Sequence, residues 1–153
     1  MARIVGGIGS SHAPSIAFAW DAGHQDRPVW KPFFQAYEPV RDWLRAVHAD
    51  TLVVIYNDHL NQFQFDHYPT FALGTGDLHP LANEGKVPRA LPAVPGHSAF
   101  AWALARGLVA EEFDLSLCQE MALDHGILSV LPLVDPPPWS MRVVPLAVNV
   151  VLD

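Results

Sequence analysis

Histidine is the side chain whose number and placement in this sequence most suggest chemistry. Eight histidines nearly equal the nine lysines and arginines combined, and neutral imidazole is the commonest metal ligand in proteins. His12 and His59 both follow apolar stretches and stand beside small or hydrogen-bonding residues, Ser10-Ser11 and Asn57-Asp58. Such neighbours can orient an imidazole toward a metal ion. A pair of loop histidines is more often structural, so the pattern makes a metal site worth testing without establishing one.

The elements that carry these two histidines are predicted to be strands. A short apolar run at residues 3–8, followed by turn-forming residues, predicts a strand before His12. Residues 51–56 form a continuous β-branched run, which is typical of a strand buried on both faces of a parallel sheet. Ligands bind at the carboxyl ends of strands in open α/β sheets. We therefore expect His12 and His59 to face one crevice.

The rest of the chain alternates helical and strand patterns. Periodic apolar positions predict helices over residues 31–48, 96–113 and 124–131. Apolar runs predict strands over residues 115–118 and 141–152, with Pro145 marking an edge or a bulge. Prolines and glycines over residues 74–97 predict a long irregular loop of the kind that often shapes a binding site. The alternation favours one α/β domain over residues 1–153.

The composition describes a soluble globular protein. Half of the residues are hydrophobic and 16% are charged, too apolar for a disordered chain, and no run approaches the ~20 apolar residues of a membrane span. A net charge of −7 without a basic cluster disfavours nucleic acid as a partner. The start of the chain lacks a secretory pattern, so the cytoplasm is the expected compartment. Cys118 is expected to be a small buried residue.

The chain resembles the class III extradiol ring-cleavage dioxygenases, specifically catalytic beta subunits of the protocatechuate 4,5-dioxygenase and gallate dioxygenase type. The stretches that carry the resemblance are GIGSSHAPSI and VVIYNDHLNQFQFDHYPTFALG. It continues through PGHSAFAWALARGLVAEEFDLSLCQEMALDHGILSVLPLV and MRVVPLAVNVV, and so covers nearly the whole chain. The family fold that this implies is an α/β domain with a central mixed sheet flanked by helices.

The resemblance also implies an activity and a site. The enzyme would be an oxidoreductase of aromatic compound catabolism that uses O2 to open catecholic acids, such as protocatechuate and gallate, beside their hydroxyls. The metal would be iron(II), Fe(2+), with His12 and His59 as ligands, Asn57 beside the site and His125 contacting the substrate. Two histidines and one carboxylate on one face of iron(II) leave positions open for substrate and oxygen. The family also allows a small alpha subunit and a homo-oligomer as partners.

The chain departs from the family in length. Relatives are nearly twice as long, and their carboxylate ligand and catalytic base lie in the half without a counterpart here. We therefore expect a truncated or split product, incomplete at its carboxyl end, that forms the amino-terminal part of a single catalytic domain. Acidic residues that could substitute for the third ligand, without a family match, are Asp58, Asp66, Glu84, Glu120 and Asp124.

Two other functions fit part of the pattern. A non-catalytic remnant would bind an aromatic ligand or a partner subunit without turning it over, and metal-dependent oxygen uptake separates it from an enzyme. A metal-dependent hydrolase could use a histidine pair and a nearby aspartate to activate water at zinc. The family resemblance favours the dioxygenase over both. Among the other histidines, His24 and His67 are predicted to lie nearest the cleft.

Overall fold

A computed structural model describes residues 2–84 and 89–149. Its elements in chain order are α1 (Pro14–Asp21), α2 (Lys31–Gln35), α3 (Glu38–Ala46), β1 (Thr51–Asn57), β2 (Phe71–Gly74), β3 (Leu78–His79), β4 (Val94–Pro95), α4 (Ser98–Ala110), β5 (Leu115–Cys118), α5 (His125–Leu128), α6 (Leu131–Val134) and β6 (Arg142–Val148). β1, β6, β2 and β5 form one sheet in that order, and β3 pairs with β4. The β1–β6 and β2–β5 pairs are parallel, whereas β2–β6 is antiparallel. The predicted mixed α/β fold, with a central sheet and flanking helices, is confirmed.

β1 is the strand that leads the chain to His59. Its β-branched run pairs in parallel with β6 along its whole length. It lies at an edge of the sheet, and Val53 and Ile55 on one of its faces are 44% and 69% exposed. The predicted strand is confirmed, but its expected burial on both faces is wrong. An edge strand has a neighbour on one side only, and no described element covers this face.

Pro145 occupies a central strand, so its interpretation as an edge marker is wrong. β6 lies between β1 and β2. The antiparallel ladder to β2 stops at the pair Leu73–Leu146, one position before Pro145. The next residue of β2 is Gly74, where an added Cβ would lie 2.5 Å from Cγ of Pro145. A central strand tolerates this proline because its neighbour has no side chain there and the ladder has already ended.

Residues 2–10 form no strand, so the strand predicted over residues 3–8 is wrong. Ile4 is 93% exposed. A strand requires another strand to pair its backbone N–H and C=O groups, and in the described ranges none pairs with this segment. Gly6 instead lies against Trp43, where a Cβ would come within 2.4 Å of the indole ring. His12 therefore follows an extended segment and not a strand.

Two of the predicted helices are shorter than expected. The helix expected over residues 31–48 is α2 followed by α3, with Pro39 in the first turn of α3. A continuous helix would need a backbone N–H from Pro39, which proline lacks. The helix expected over residues 124–131 is α5, which ends at Leu128, and its last predicted residue, Leu131, begins α6.

The remaining predictions are mostly confirmed. The helix over residues 96–113 is α4, the strand over residues 115–118 is β5, and β6 covers much of residues 141–152, of which residues 150–152 lie outside the described part. The described part of the irregular region over residues 74–97 contains the end of β2, the short β3–β4 pair and isolated bridges at Leu81 and Gly96. Its residues 85–88 also lie outside the described part. α1 and β2 were not predicted. None of the described helices has the length and apolar character needed to cross a membrane.

Candidate metal centre

Three imidazoles come together beyond the carboxyl end of β1. The ring centroids of His12 and His59 lie 5.1 Å apart, and those of His59 and His125 lie 4.0 Å apart. The third distance, between His12 and His125, is 6.2 Å. His12 precedes α1, His59 follows β1 and His125 begins α5. The fold thus gathers three of the predicted site residues from separate parts of the chain.

Asp124 holds His59 from the buried side of this cluster. The aspartate is fully buried, and its Oδ2 accepts hydrogen bonds from the backbone N–H of His59 at 2.8 Å and from Nδ1 of the same residue at 3.0 Å. Its Oδ1 accepts from the N–H of Gly126 at 2.8 Å and so caps α5. An ionised carboxylate can only accept hydrogen bonds, so Nδ1 of His59 carries the hydrogen. Nε2 of His59 is left with a free lone pair, as in metal-binding histidines oriented by a carboxylate.

His12 lies in an environment that favours its neutral form. Burial lowers the pKa of His12 below its ordinary value, the nearby His59 and His125 lower it further, and Asp124 opposes the shift. A histidine must be neutral to bind a metal. The local electrostatics of His12 therefore suit a ligand.

His125 has a carboxylate partner of its own. Oε1 of Glu84 lies 2.5 Å from Nδ1 of His125. The two side chains are 17% and 27% exposed, so the pair sits at the rim of the cluster.

The donor atoms converge closely enough for a metal ion. One possible ligand atom from each of His59, Asp124 and His125 lies within 4.8 Å of the others. His12 is not part of this group, and its ring centroid lies 5.1 Å from that of His59. Imidazole nitrogens suit first-row transition metals, including iron. The arrangement can therefore bind a divalent metal through imidazoles, with a buried carboxylate behind them.

Comparison with known proteins identifies the family. The family model described as "Catalytic LigB subunit of aromatic ring-opening dioxygenase" matches residues 6–153. The chain belongs to this family.

Curated relatives of this LigB-family chain are themselves ring-cleaving dioxygenases by name. Gallate dioxygenase of Pseudomonas putida is 40% identical over 72 residues, which cover 46% of this chain and 21% of the relative. The enzyme named 2,3-dihydroxyphenylpropionate/2,3-dihydroxicinnamic acid 1,2-dioxygenase is 32% identical in Cupriavidus necator, over 71% of this chain and 34% of the relative. Its Rhodococcus globerulus counterpart is 26% identical over 91% of this chain and 42% of the relative. The chain thus spans less than half the length of these relatives.

Asn57, the remaining predicted site residue of the LigB-family chain, lies at the end of β1. Its Nδ2 donates a hydrogen bond to the backbone carbonyl of Val148 at 3.2 Å. The side chain therefore ties β1 to β6 directly beneath the histidine cluster. Its placement beside the substrate stays a prediction.

The structure separates the five acidic candidates for a third ligand. Asp58 is fully buried, and its oxygens accept hydrogen bonds from three backbone N–H groups of residues 61–63. It closes the loop after His59 instead of facing the cluster. Asp66 and Glu120 are exposed, whereas Asp124 and Glu84 each contact a histidine of the cluster.

Sequence reasoning missed the roles of Asp124 and Glu84 as histidine partners. The word Asp124-His125-Gly126 contains a recognisable helix N-cap, but nothing in it indicates that the same carboxylate reaches His59, 65 positions away. Glu84 and His125 are 41 positions apart. Such pairings are decided by tertiary contacts alone.

Two other histidines and one cavity lie apart from this centre. His24 packs edge-on against Phe18, with ring centroids 5.8 Å apart, and His67 is exposed. A cavity of about 410 Å³ is lined by residues that precede β1 and β6, including His48 and Ser140. It lies at the amino ends of these strands, whereas the histidine cluster lies beyond the carboxyl end of β1.

Proposed function

We propose that this chain forms the amino-terminal part of the catalytic domain of an iron(II) extradiol dioxygenase, which uses O2 to open the ring of a catecholic acid. His12 and His59 would be two of the metal ligands. The observation that carries the proposal is the convergence of the two rings, 5.1 Å apart, at the carboxyl end of β1. Membership of the LigB family supports the reaction class.

The donor set fits iron(II). His59 presents Nε2 because its Nδ1 donates to Asp124, and the lowered pKa of His12 favours the neutral ring. When bound, iron(II) would supply open coordination positions at which a catecholate and dioxygen can meet. The carboxylate behind His59 would keep that ring in place, which raises metal affinity in comparable sites.

The third, anionic ligand is proposed to come from outside these 153 residues. Glu84 and Asp124 each already bind a histidine, and the chain spans 21–42% of the length of the relatives described above. Residues 1–153 would then be the amino-terminal part of a single catalytic domain. Two neutral imidazoles alone leave the charge of the ion uncompensated, so we expect iron(II) to bind this chain weakly.

His125 is proposed to contact the substrate. Its ring is tilted by 32° to that of His59, with the ring centroids 4.0 Å apart, and its side chain is partly exposed. It therefore borders the space that a ligand on His12 and His59 would occupy. A ring nitrogen there can exchange a hydrogen bond with a catechol hydroxyl. Asn57, at the end of β1, would lie beside the same ligand space.

The substrate class is proposed from the relatives. Their names specify gallate and 2,3-dihydroxyphenylpropionate, both aromatic acids with adjacent hydroxyls. We propose a catecholic acid for this chain, with protocatechuate and gallate as the first compounds to test. The small alpha subunit, the homo-oligomer and the cytoplasmic location stay predictions.

The first test is anaerobic titration with iron(II). We expect His59→Ala and His12→Ala to lose most binding, because each removes a proposed ligand. His24→Ala is the matched control, since His24 packs against Phe18 away from the cluster. Equal affinity of the wild-type chain and His59→Ala would remove the basis of the metal assignment.

The second test is binding of a catechol. Calorimetry without oxygen should detect protocatechuate on the iron-loaded chain but not on the metal-free chain, and benzoate, which lacks both hydroxyls, should not bind in either case. Oxygen uptake on later exposure to air then separates an enzyme from a non-catalytic remnant. Iron binding without metal-dependent binding of protocatechuate would contradict the dioxygenase proposal.

A further inference from the structure

The contact between Glu84 and His125 is the interaction of the cluster that the proposed function leaves unexplained. Glu84 was a candidate metal ligand on sequence grounds. In the structure its Oε1 lies 2.5 Å from Nδ1 of His125. The carboxylate of Glu84 therefore faces Nδ1 of His125 and not Nε2.

The backbone brings Glu84 to this position. Leu81 forms a parallel bridge with Leu123. The N–H of Ala82 donates to the carbonyl of Leu123 at 2.8 Å, and the N–H of Leu123 donates to the carbonyl of Pro80 at 2.9 Å. These bonds fasten the segment before Glu84 to the residues just before α5. The pairing with His125 therefore rests on a built backbone contact and not on a freely moving surface side chain.

The chemistry of the pair defines the tautomer of His125. An ionised carboxylate has no hydrogen to donate, so Nδ1 of His125 must carry one. In a neutral ring Nε2 is then the acceptor. The same arrangement recurs at His59, where Asp124 accepts from Nδ1. Two neighbouring imidazoles are thus each held at Nδ1 by a different carboxylate.

We propose that Glu84 is a positioning residue that fixes the orientation and tautomer of His125. Nε2 of His125 is thereby kept as a hydrogen-bond acceptor for a hydroxyl of the catecholic substrate. The inference rests on the proposed function for the identity of the substrate, but the tautomer itself does not depend on it. Glu84 would then support His125 and would not bind the metal.

Nitrogen NMR of the metal-free chain, labelled with ¹⁵N in the histidine rings, tests the tautomer directly. Couplings between ring nitrogens and carbon-bound ring protons identify which nitrogen carries hydrogen, and a His125→Gln spectrum assigns the signals. We expect Nδ1–H for His125 in the wild-type chain. In Glu84→Leu, Nδ1 loses the carboxylate that accepts its hydrogen, so we expect the Nε2–H form.

The control is Glu111→Leu, which removes an exposed carboxylate at the end of α4 and should leave the wild-type pattern. The signals of the other seven histidines show whether each variant is folded. A wild-type His125 in the Nε2–H form would overturn the proposal. The same tautomer in wild type and Glu84→Leu would overturn it as well.

Two binding measurements separate positioning from metal ligation. Glu84→Leu should leave iron(II) affinity unchanged and should weaken protocatechuate binding to the iron-loaded chain about threefold to tenfold, the effect of one hydrogen bond. Loss of iron(II) affinity in Glu84→Leu would make Glu84 a ligand and refute the positioning role. If the tautomer shifts as expected but the wild-type chain binds no catechol, the proposed function fails while the Glu84–His125 assignment stands.

Discussion

Asp124→Asn is the substitution that most directly tests how the buried carboxylate organises the site. The asparagine has nearly the same size, and its carbonyl oxygen can still accept from the N–H of Gly126 and cap α5. Its amide nitrogen, however, would face the three donors whose hydrogens Oδ2 now accepts, the two N–H groups of His59 at 2.8 and 3.0 Å and the side-chain amide of Asn61 at 3.2 Å. The Asn61 amide can rotate to present its oxygen instead. Two donors cannot bond each other. The ring of His59 must therefore move or shift its hydrogen from Nδ1 to Nε2.

The size of the effect follows from the bonds that change. Hydrogen bonds to a charged group contribute about 1.5–3 kcal/mol each. A shift of the hydrogen on His59 restores the ring contact as a neutral bond, so we expect the free energy of unfolding to fall by about 1.5–3 kcal/mol, the contribution of one such bond. The shift also places hydrogen on Nε2, the atom proposed to bind the metal. Loss of such an orienting partner typically costs about 10–100-fold in metal affinity.

Urea denaturation and anaerobic iron(II) titration measure the two effects separately. The matched control is Asp66→Asn, which makes the same chemical change at an exposed position and should alter neither quantity. A stable Asp124→Asn variant with the iron affinity of the control would refute the reasoning. Reduced stability with undiminished iron affinity would show that Asp124 acts only as a helix cap and loop anchor.

Three further predictions concern the packing at two glycines, the burial of His79 and the rate at which the chain consumes oxygen. Gly96→Ala should lower stability by about 1–3 kcal/mol, because its Cβ would lie 2.1 Å from the carbonyl oxygen of Gly76. In urea denaturation Gly107→Ala, with nothing within 4 Å, should instead raise it by about 0.5–1 kcal/mol, and equal stabilities would contradict the packing argument. Burial lowers the pKa of His79, an effect that the Met121 and Val143 backbones partly oppose. At this group the unfolded chain therefore binds more protons. The contribution of His79 to stability should be complete above about pH 6.5 and should fall below it by at most about 1.4 kcal/mol per pH unit, in addition to the loss from His12, whose pKa is also lowered. His79→Leu should flatten this slope in denaturation curves, and an unchanged slope would exclude His79 as its source. Finally, the chain alone with iron(II) should consume oxygen about 100–10,000-fold more slowly than an intact relative, because the family resemblance implies a general base outside residues 1–153. Turnover near the relative's rate on an oxygen electrode would show that these residues complete the site themselves.

The strand predictions show where local pattern suffices and where it fails. Residues 51–56 and residues 3–8 are both short apolar runs that end before a histidine. Residues 51–56 lie in β1, which pairs with β6 along its whole length. Residues 3–8 pair with no strand among the described residues. A helix satisfies its backbone within its own segment, but a strand depends on another one. The outcome for a strand therefore cannot be inferred from its own residues alone.

Proline shows the same dependence on context. Pro39 divides the helix predicted over residues 31–48, a consequence that follows from the missing N–H of proline and could have been anticipated locally. For Pro145 the local pattern is misleading, because proline is usually confined to edge strands and would predict an edge position. It occupies the central strand β6 because Gly74 leaves room beside it. The pairing of these two positions is visible only once the sheet is assembled.

The sequence by itself determined the family and the α/β class, and it made His12 and His59 the candidates for metal ligands, which stay a prediction. These properties reside in residue types and in short words such as Asn57-Asp58-His59 and Asp124-His125-Gly126, which can be recognised without knowing what lies nearby. The tertiary structure decided which groups support those histidines. Asp124 reaches His59 across 65 positions and Glu84 reaches His125 across 41. Contacts between segments so far apart arise from the packing of β1, α5 and the Leu81–Leu123 bridge, and the residues involved show no local signal of their partners.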